Sequence, residues 1–168
     1  NSQSSLEECL KRSFPWCEDW GDELRVLFRS YVETKQKHQV LDYDDLLLYW
    51  YHLMADPALA ADVGARFDHV LVDEFQDTNS LQASILAALK PSGQGVTAVG
   101  DDAQSIYSFR AATVRNMFEF PERFERKAEL VTLEENYRST QTILEAANAV
   151  IEQSTERYAK KLHSAKRS

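Results

Sequence analysis

The segment Phe67-Asp68-His69-Val70-Leu71-Val72 is a short apolar, β-branched run that stops abruptly at Asp73-Glu74, and it constrains the fold more than any other feature. A run this short and apolar predicts a buried strand. Leu81, Ile85, Leu86 and Leu89 then recur at helical spacing, residues 91–95 supply a Gly/Pro/Ser turn, and residues 96–99 predict a second strand closed by Gly100-Asp101. Strand, helix and strand in that order predict a parallel pair with a right-handed crossover. A helix over 113–120, a stop at Pro121 and a third strand over 130–133 continue the alternation. The chain is therefore expected to be an α/β protein, a parallel sheet flanked by helices.

The first forty residues read as helices. Ser5 and Glu8 have the spacing of a capping box, Pro15 stops the pattern, and Leu24, Leu27, Phe28, Tyr31 and Val32 recur at helical spacing. The polar run 35–39 predicts a junction. Asp42 is placed to cap a third helix with the stripe Leu46, Leu47, Trp50, Leu53 and Met54, ended near Asp56-Pro57. A last helix from Thr140 is expected to turn Ile143, Leu144, Ala147, Val150 and Ile151 inward.

At 168 residues the core needs no disulfide or metal support. Cys9 and Cys17 follow no signal-peptide pattern, which predicts free thiols in a cytoplasmic chain. The four histidines are too scattered for a zinc site, and no apolar run has the length of a membrane span. The net charge is −8, and five basic residues fall in 157–168, leaving 14 basic against 27 acidic residues in 1–156. Charge alone argues against a free-standing DNA binder, because Lys and Arg supply most non-specific affinity for phosphates. The basic tail reads either as DNA-facing or, more in keeping with such runs, as a solvated, frayed end.

Ligands of open parallel sheets bind beyond the carboxyl ends of the strands, and all three expected strands end in polar clusters: Asp73 to Asp77, Gly100 to Arg110, and Asn136 to Ser139. Three clusters on one edge predict one site. Asp73-Glu74 suits magnesium-dependent phosphoryl transfer, one carboxylate holding the hydrated metal and the other orienting or deprotonating water. The plainer reading of the dipeptide is two solvated acids opening a loop.

Residues 73–79 (DEFQDTN), 100–112 (GDDAQSIYSFRAA) and 133–139 (LEENYRS), in that order and spacing, resemble the UvrD/Rep/PcrA family of superfamily 1 DNA helicases. Residues 41–47 (LDYDDLL) and the helix over 140–151 also look like family counterparts, so the resemblance covers roughly 40–155. It implies a partial RecA-like sheet in three parts. Residues 1–40 would be a helical segment of an inserted subdomain, 41–126 the C-terminal half of a first RecA-like domain, and 127–168 the start of a second.

The resemblance also implies ATP and Mg2+ as cofactors, single-stranded or partly duplex DNA and the remaining domains of the parent helicase as partners, no membrane, and 3′-to-5′ polarity. It assigns Asp73 to magnesium, Glu74 to the catalytic water, Gln76 and Gln104 to the terminal phosphate, Arg138 to the same phosphate across the cleft, and Tyr137 to stacking beside adenine. Tyr107, Phe109 and Arg110 would link phosphate sensing to the DNA strand. The alternatives are a surface ion pair of Arg138 with Glu134 or Glu135, and core packing for Phe109. Many relatives carry Trp at the Phe109 position and Gly at the Ala111 position.

A P-loop motor needs a glycine-rich loop ending in Gly-Lys-Ser/Thr. None of Gly21, Gly64, Gly93, Gly95 and Gly100 precedes a lysine, so this chain by itself is expected to be inactive. Two other functions fit the same sequence: the helicase part of a recombination helicase-nuclease, and a non-hydrolysing interaction module.

Overall fold

The computed structural model describes residues 4–166, with the side chain of Arg110 outside that description. The chain divides into two compact units, Asn1–Phe67 with Asn79–Leu89, and Asp68–Thr78 with Lys90–Ser168.

The first unit is helical. Helix α1 (Leu6–Ser13) starts at the expected capping box, Glu8 N donating to Ser5 Oγ and Ser5 N to Glu8 Oε2. A 3-10 turn at Pro15–Trp20 leads into α2 (Gly21–His38). The expected junction at 35–39 is instead the last turn of α2. Lys35 continues the helix because its ammonium reaches Asp42 (2.8 Å) and Asp45 (2.6 Å), and the break falls at Gln39, which takes a left-handed conformation. Its hydrogen bonds to those carboxylates push the Lys35 pKa above its ordinary value, and the bond from the Lys35 ammonium holds Asp42 below its own.

Asp42 caps α3 (Tyr43–Met54) in a second capping box with Asp45. The expected stop at Asp56-Pro57 is also the start of another helix, α4 (Pro57–Ala65). Asp56 accepts from Ala58 N and Leu59 N, and proline is tolerated in a first turn because its missing N–H is not needed there. Helix α5 (Ser80–Leu89) buries Leu81, Ile85, Leu86 and Leu89 as its spacing predicts. The stripe of α2 does not go inward: Leu27, Phe28, Tyr31 and Val32 are all exposed.

The second unit holds a two-stranded parallel sheet, β1 (Val70–Val72) beside β2 (Val96–Ala98), with Val70 opposite Val96 and Val72 opposite Ala98. The ladder is extended by Val70 N to Gly95 O and Val99 N to Val72 O, each 2.8 Å. Phe75, Phe120 and Phe124 pack edge to face at 5.1 Å centroid spacing in its core. Helix α6 (Arg115–Glu119) is shorter than expected and passes into a 3-10 turn, Phe120–Glu122, at Pro121.

The expected third strand over 130–133 does not form. An open groove of about 780 Å3 lies between β2 and this segment, lined by Val96, Ala98, Leu130 and Leu133. A strand exists by pairing, and across that groove Leu130, Val131 and Leu133 find no ladder and are exposed.

Helix α7 (Gln141–Ile151) buries Leu144, whereas Ile143, Ala147 and Val150 are exposed, contrary to the inward stripe. The basic tail is not frayed over 158–164. It folds back along the unit through hydrogen bonds described below. No helix among the described residues is long and apolar enough to cross a membrane.

Candidate functional site

Because β1 and β2 are parallel and in register, the loops leaving Val72 and Ala98 emerge at one edge of the sheet. The turn after β1 is tight. Asp73 Oδ1 accepts from Glu74 N at 2.9 Å, Glu74 takes a left-handed backbone (φ 50°, ψ 43°), and residues Phe75–Asp77 form a 3-10 turn. Both carboxylates remain exposed at the edge.

Gln76 lies beneath them, 1% exposed. Its amide is used at both ends: Nε2 donates to Glu74 Oε2 (2.7 Å), and Oε1 accepts from Asp101 N (3.0 Å). A buried amide must have both groups satisfied, and here the partners are the two strand ends. Gly100 permits this approach, since a Cβ there would meet Gln76 Oε1 at 2.7 Å. Asp101 then caps the turn Asp102–Gln104, Oδ1 accepting from Ala103 N and Oδ2 from Gln104 Nε2 (2.8 Å). Glu74, Gln76, Asp101 and Gln104 thus form one hydrogen-bonded chain across the sheet edge.

Downstream, Tyr107 and Phe109 lie 5.9 Å apart in a tilted pair. Phe109 is 74% exposed, so core packing does not account for it in this chain. Arg110 ends the 3-10 turn Ser108–Arg110, and its side chain lies outside the described residues. Ala111 follows at φ 61°, in the left-handed region that favours glycine.

The Asn136 to Ser139 cluster is not delivered by a strand. Asn136 Oδ1 accepts from Arg138 N (2.9 Å) and Ser139 N (2.8 Å), folding the run into a turn ahead of α7. Tyr137 is exposed and its hydroxyl donates to Glu135 Oε2, an interaction that raises its pKa. Arg138 is exposed, and no ion pair with Glu134 or Glu135 exists among the described residues. Glu134 instead accepts from Lys161 N at 2.9 Å. No hydrogen bond among the described residues joins Arg138 to Asp73, Glu74 or Gln104, so the structure brings two of the three expected clusters together directly.

Sequence reasoning passed over Asp101, Asp102 and Lys160. The Lys160 ammonium donates to Asp101 and Asp102, the latter at 2.6 Å. Burial works against both charges, but hydrogen bonds from Gln104 and Lys160 hold Asp101 below the usual carboxylate range. The two aspartates in turn raise Lys160 above the usual ammonium value. The available signal was the adjacent acids Asp101-Asp102 after the second strand together with the basic residues of 157–168.

The residues at the edge fit a magnesium ion held mainly by phosphate and water. Asp73 offers an exposed hard carboxylate, and no cluster of three or more His, Cys, Asp or Glu among the described residues forms an all-protein cage.

The family model described as the UvrD/REP helicase N-terminal domain matches residues 3–125. DNA helicase II of Escherichia coli is 42% identical over 137 residues, 81% of this chain and 19% of its own length. ATP-dependent DNA helicase UvrD1 of Mycobacterium tuberculosis is 42% identical over 156 residues (86% and 20%), and ATP-dependent DNA helicase PcrA of Leuconostoc citreum 39% over 137 (81% and 18%). The chain therefore spans about a fifth of the length of these curated relatives.

Proposed function

Because the chain belongs to the UvrD/REP helicase N-terminal domain family, we propose that it is the part of an ATP-dependent DNA helicase or translocase that carries the hydrolysis carboxylates, the phosphate-sensing loop and the NYRS arginine. In this reading residues 1–40 belong to an inserted helical subdomain, 41–126 to the C-terminal half of a first RecA-like domain, and 127–168 to the start of a second. The observation that supports it most is the common sheet edge, where buried Gln76 ties Glu74 to the Asp101 loop.

Magnesium-bound ATP, when present, supplies the phosphoanhydride to be cleaved and draws off charge from its leaving oxygens. Asp73 offers the carboxylate for the hydrated cation. Glu74 accepts a proton from the attacking water, its carboxylate aimed by Gln76. Gln104 reads the terminal phosphate, and Gln76 passes that state between the strand ends. Tyr137 stacks beside adenine, and the Arg138 guanidinium neutralises charge growing in the transition state, an effect worth about 10³–10⁵ in rate for such fingers.

The DNA strand lies on the exposed Tyr107 and Phe109 with Arg110 beside them. Stacking of about 1–3 kcal/mol per base carries no sequence preference, which suits a 3′-to-5′ motor and reconciles DNA binding with an acidic chain. The deciding experiment is DNA-stimulated ATPase of the full-length parent and its Glu74→Gln variant. Turnover should fall by about 10²–10⁴ while ATP binding persists. A variant that keeps the parental rate removes Glu74 from the water-activating role.

A further inference from the structure

The tail residues Tyr158 to His163 run as a strap along the second unit and touch two separate parts of the motif set. At one end Tyr158 N donates to Asp102 Oδ2 (3.0 Å), the Tyr158 hydroxyl donates to Met117 O (2.6 Å), and Lys160 bridges Asp101 and Asp102. At the other end Lys161 N and His163 N donate to Glu134, and Asn136 N donates to His163 O (2.8 Å). Asn148 holds the middle, its side chain exchanging hydrogen bonds with Leu162 N (3.1 Å) and O (2.8 Å).

These contacts are built for position. Asp102 is 3% and Lys160 15% exposed at the side chain, so that ion pair is shielded from competing water, while Asp101 is 30% exposed. The carboxylate of Asp101 that accepts from Lys160 is the one that accepts from Gln104 Nε2. Removing the ammonium leaves a shielded Asp102 beside a part-exposed Asp101 (side chains 3% and 30% exposed) in mutual repulsion, and the first group to lose its anchor is the Gln104 amide.

We propose that Lys160 is a positioning residue for ATP hydrolysis, holding the Asp101-Asp102 pair so that Gln104 faces the terminal phosphate, and that the strap makes the NYRS turn and this loop move as one. The inference rests on the ATPase reading above. Lys160 touches no substrate; it acts through Asp101.

The test uses the full-length parent with Lys160→Met, which keeps the aliphatic stem, Lys160→Arg, which keeps the charge, Gln104→Ala, and the Lys160→Met/Gln104→Ala double variant. Two readouts are taken: steady-state ATPase with DNA, and hydrogen exchange at the amides of residues 101–105. K160M should lower kcat about tenfold with KM for ATP nearly unchanged, K160R should restore most of it, and the double variant should be no slower than Gln104→Ala alone. Exchange at 101–105 should speed up in K160M.

Multiplying effects in the double variant, an unchanged kcat in K160M, or unchanged exchange at 101–105 each overturn the proposal. Should the wild-type parent show no DNA-stimulated ATPase, the functional reading falls while the exchange measurement still decides whether Lys160 fixes the loop. Melting temperatures of all variants accompany these measurements, and K160R carries the test if K160M fails to fold: a K160R protein with both kcat depressed and exchange accelerated counts against charge as the agent.

Discussion

Ala111 and Glu74 both adopt positive φ (61° and 50°) without being glycine, and both sit in motifs the sequence marks as chemical. A left-handed conformation costs an L-residue about 1–2 kcal/mol, and such strain persists where surrounding contacts impose it. For Glu74 the contacts are visible: Gln76 fixes its carboxylate and Phe75 N is held by Val99 O at 2.9 Å. Ala111 follows a short 3-10 turn with fewer constraints. Ala111→Gly should therefore stabilise the protein, by up to about 1 kcal/mol after the added freedom of the unfolded glycine is subtracted. Ala111→Val should destabilise it by at least as much, both read as shifts in thermal midpoint. A lower midpoint for the glycine variant would show that the left-handed turn is not what the 108–111 segment adopts. The same scale explains what could be read early. Asp73, Glu74 and Gln104 stand at strand ends and were legible; the partners of Gln76 were not, because a buried amide is recognised only by what encloses it.

The strap is the element whose behaviour with pH follows from its charges. Asp101 has its folded pKa depressed below the ordinary 3.8, so its contribution is present above that value and is lost as pH falls through the folded pKa. Lys160 has its pKa raised above the ordinary 10.5, so its contribution is present below that value and is lost as pH rises through the folded pKa. The strap is thus held across the neutral range. Amide protection at Ala103 and Tyr158 should exceed that of Lys160→Met near neutrality, and the gap should close on acidification below 3.8; a gap that persists there would mean hydrogen bonding without charge holds the strap. Elements with local signals were legible as a group: the capping box of α1, the Asp42 cap of α3, the stripe of α5 and the two strands of the sheet. Helix α4 was hidden because Pro57 serves equally as a terminator and as a first-turn residue. The segment 130–133 carries strand composition without a partner, and composition cannot supply one.

At the scale of the whole molecule, apolar side chains that recur at helical spacing remain exposed on α2, α3 and α7, among them Phe28, Tyr31, Trp50, Ile143 and Val150. The chain covers about a fifth of its relatives' length and contains no Gly-Lys-Ser/Thr loop. Such a loop supplies the amides and lysine that cradle the β and γ phosphates. The 168-residue chain on its own should accordingly show no DNA-stimulated release of phosphate above a blank, measured with excess ATP, magnesium and single-stranded DNA; measurable turnover would mean the phosphates are held in another way. What the sequence alone determined is what nearby residues carry: the β1–α5–β2 unit, the caps, the polar ends of its two strands and the family to which they point. Tertiary structure decided which of those ends meet. Lys160 and Asp101 lie 59 positions apart, and a contact over that distance follows no periodicity or cap; it forms only when the folded backbone brings the ammonium to the shielded Asp102 and its neighbour Asp101.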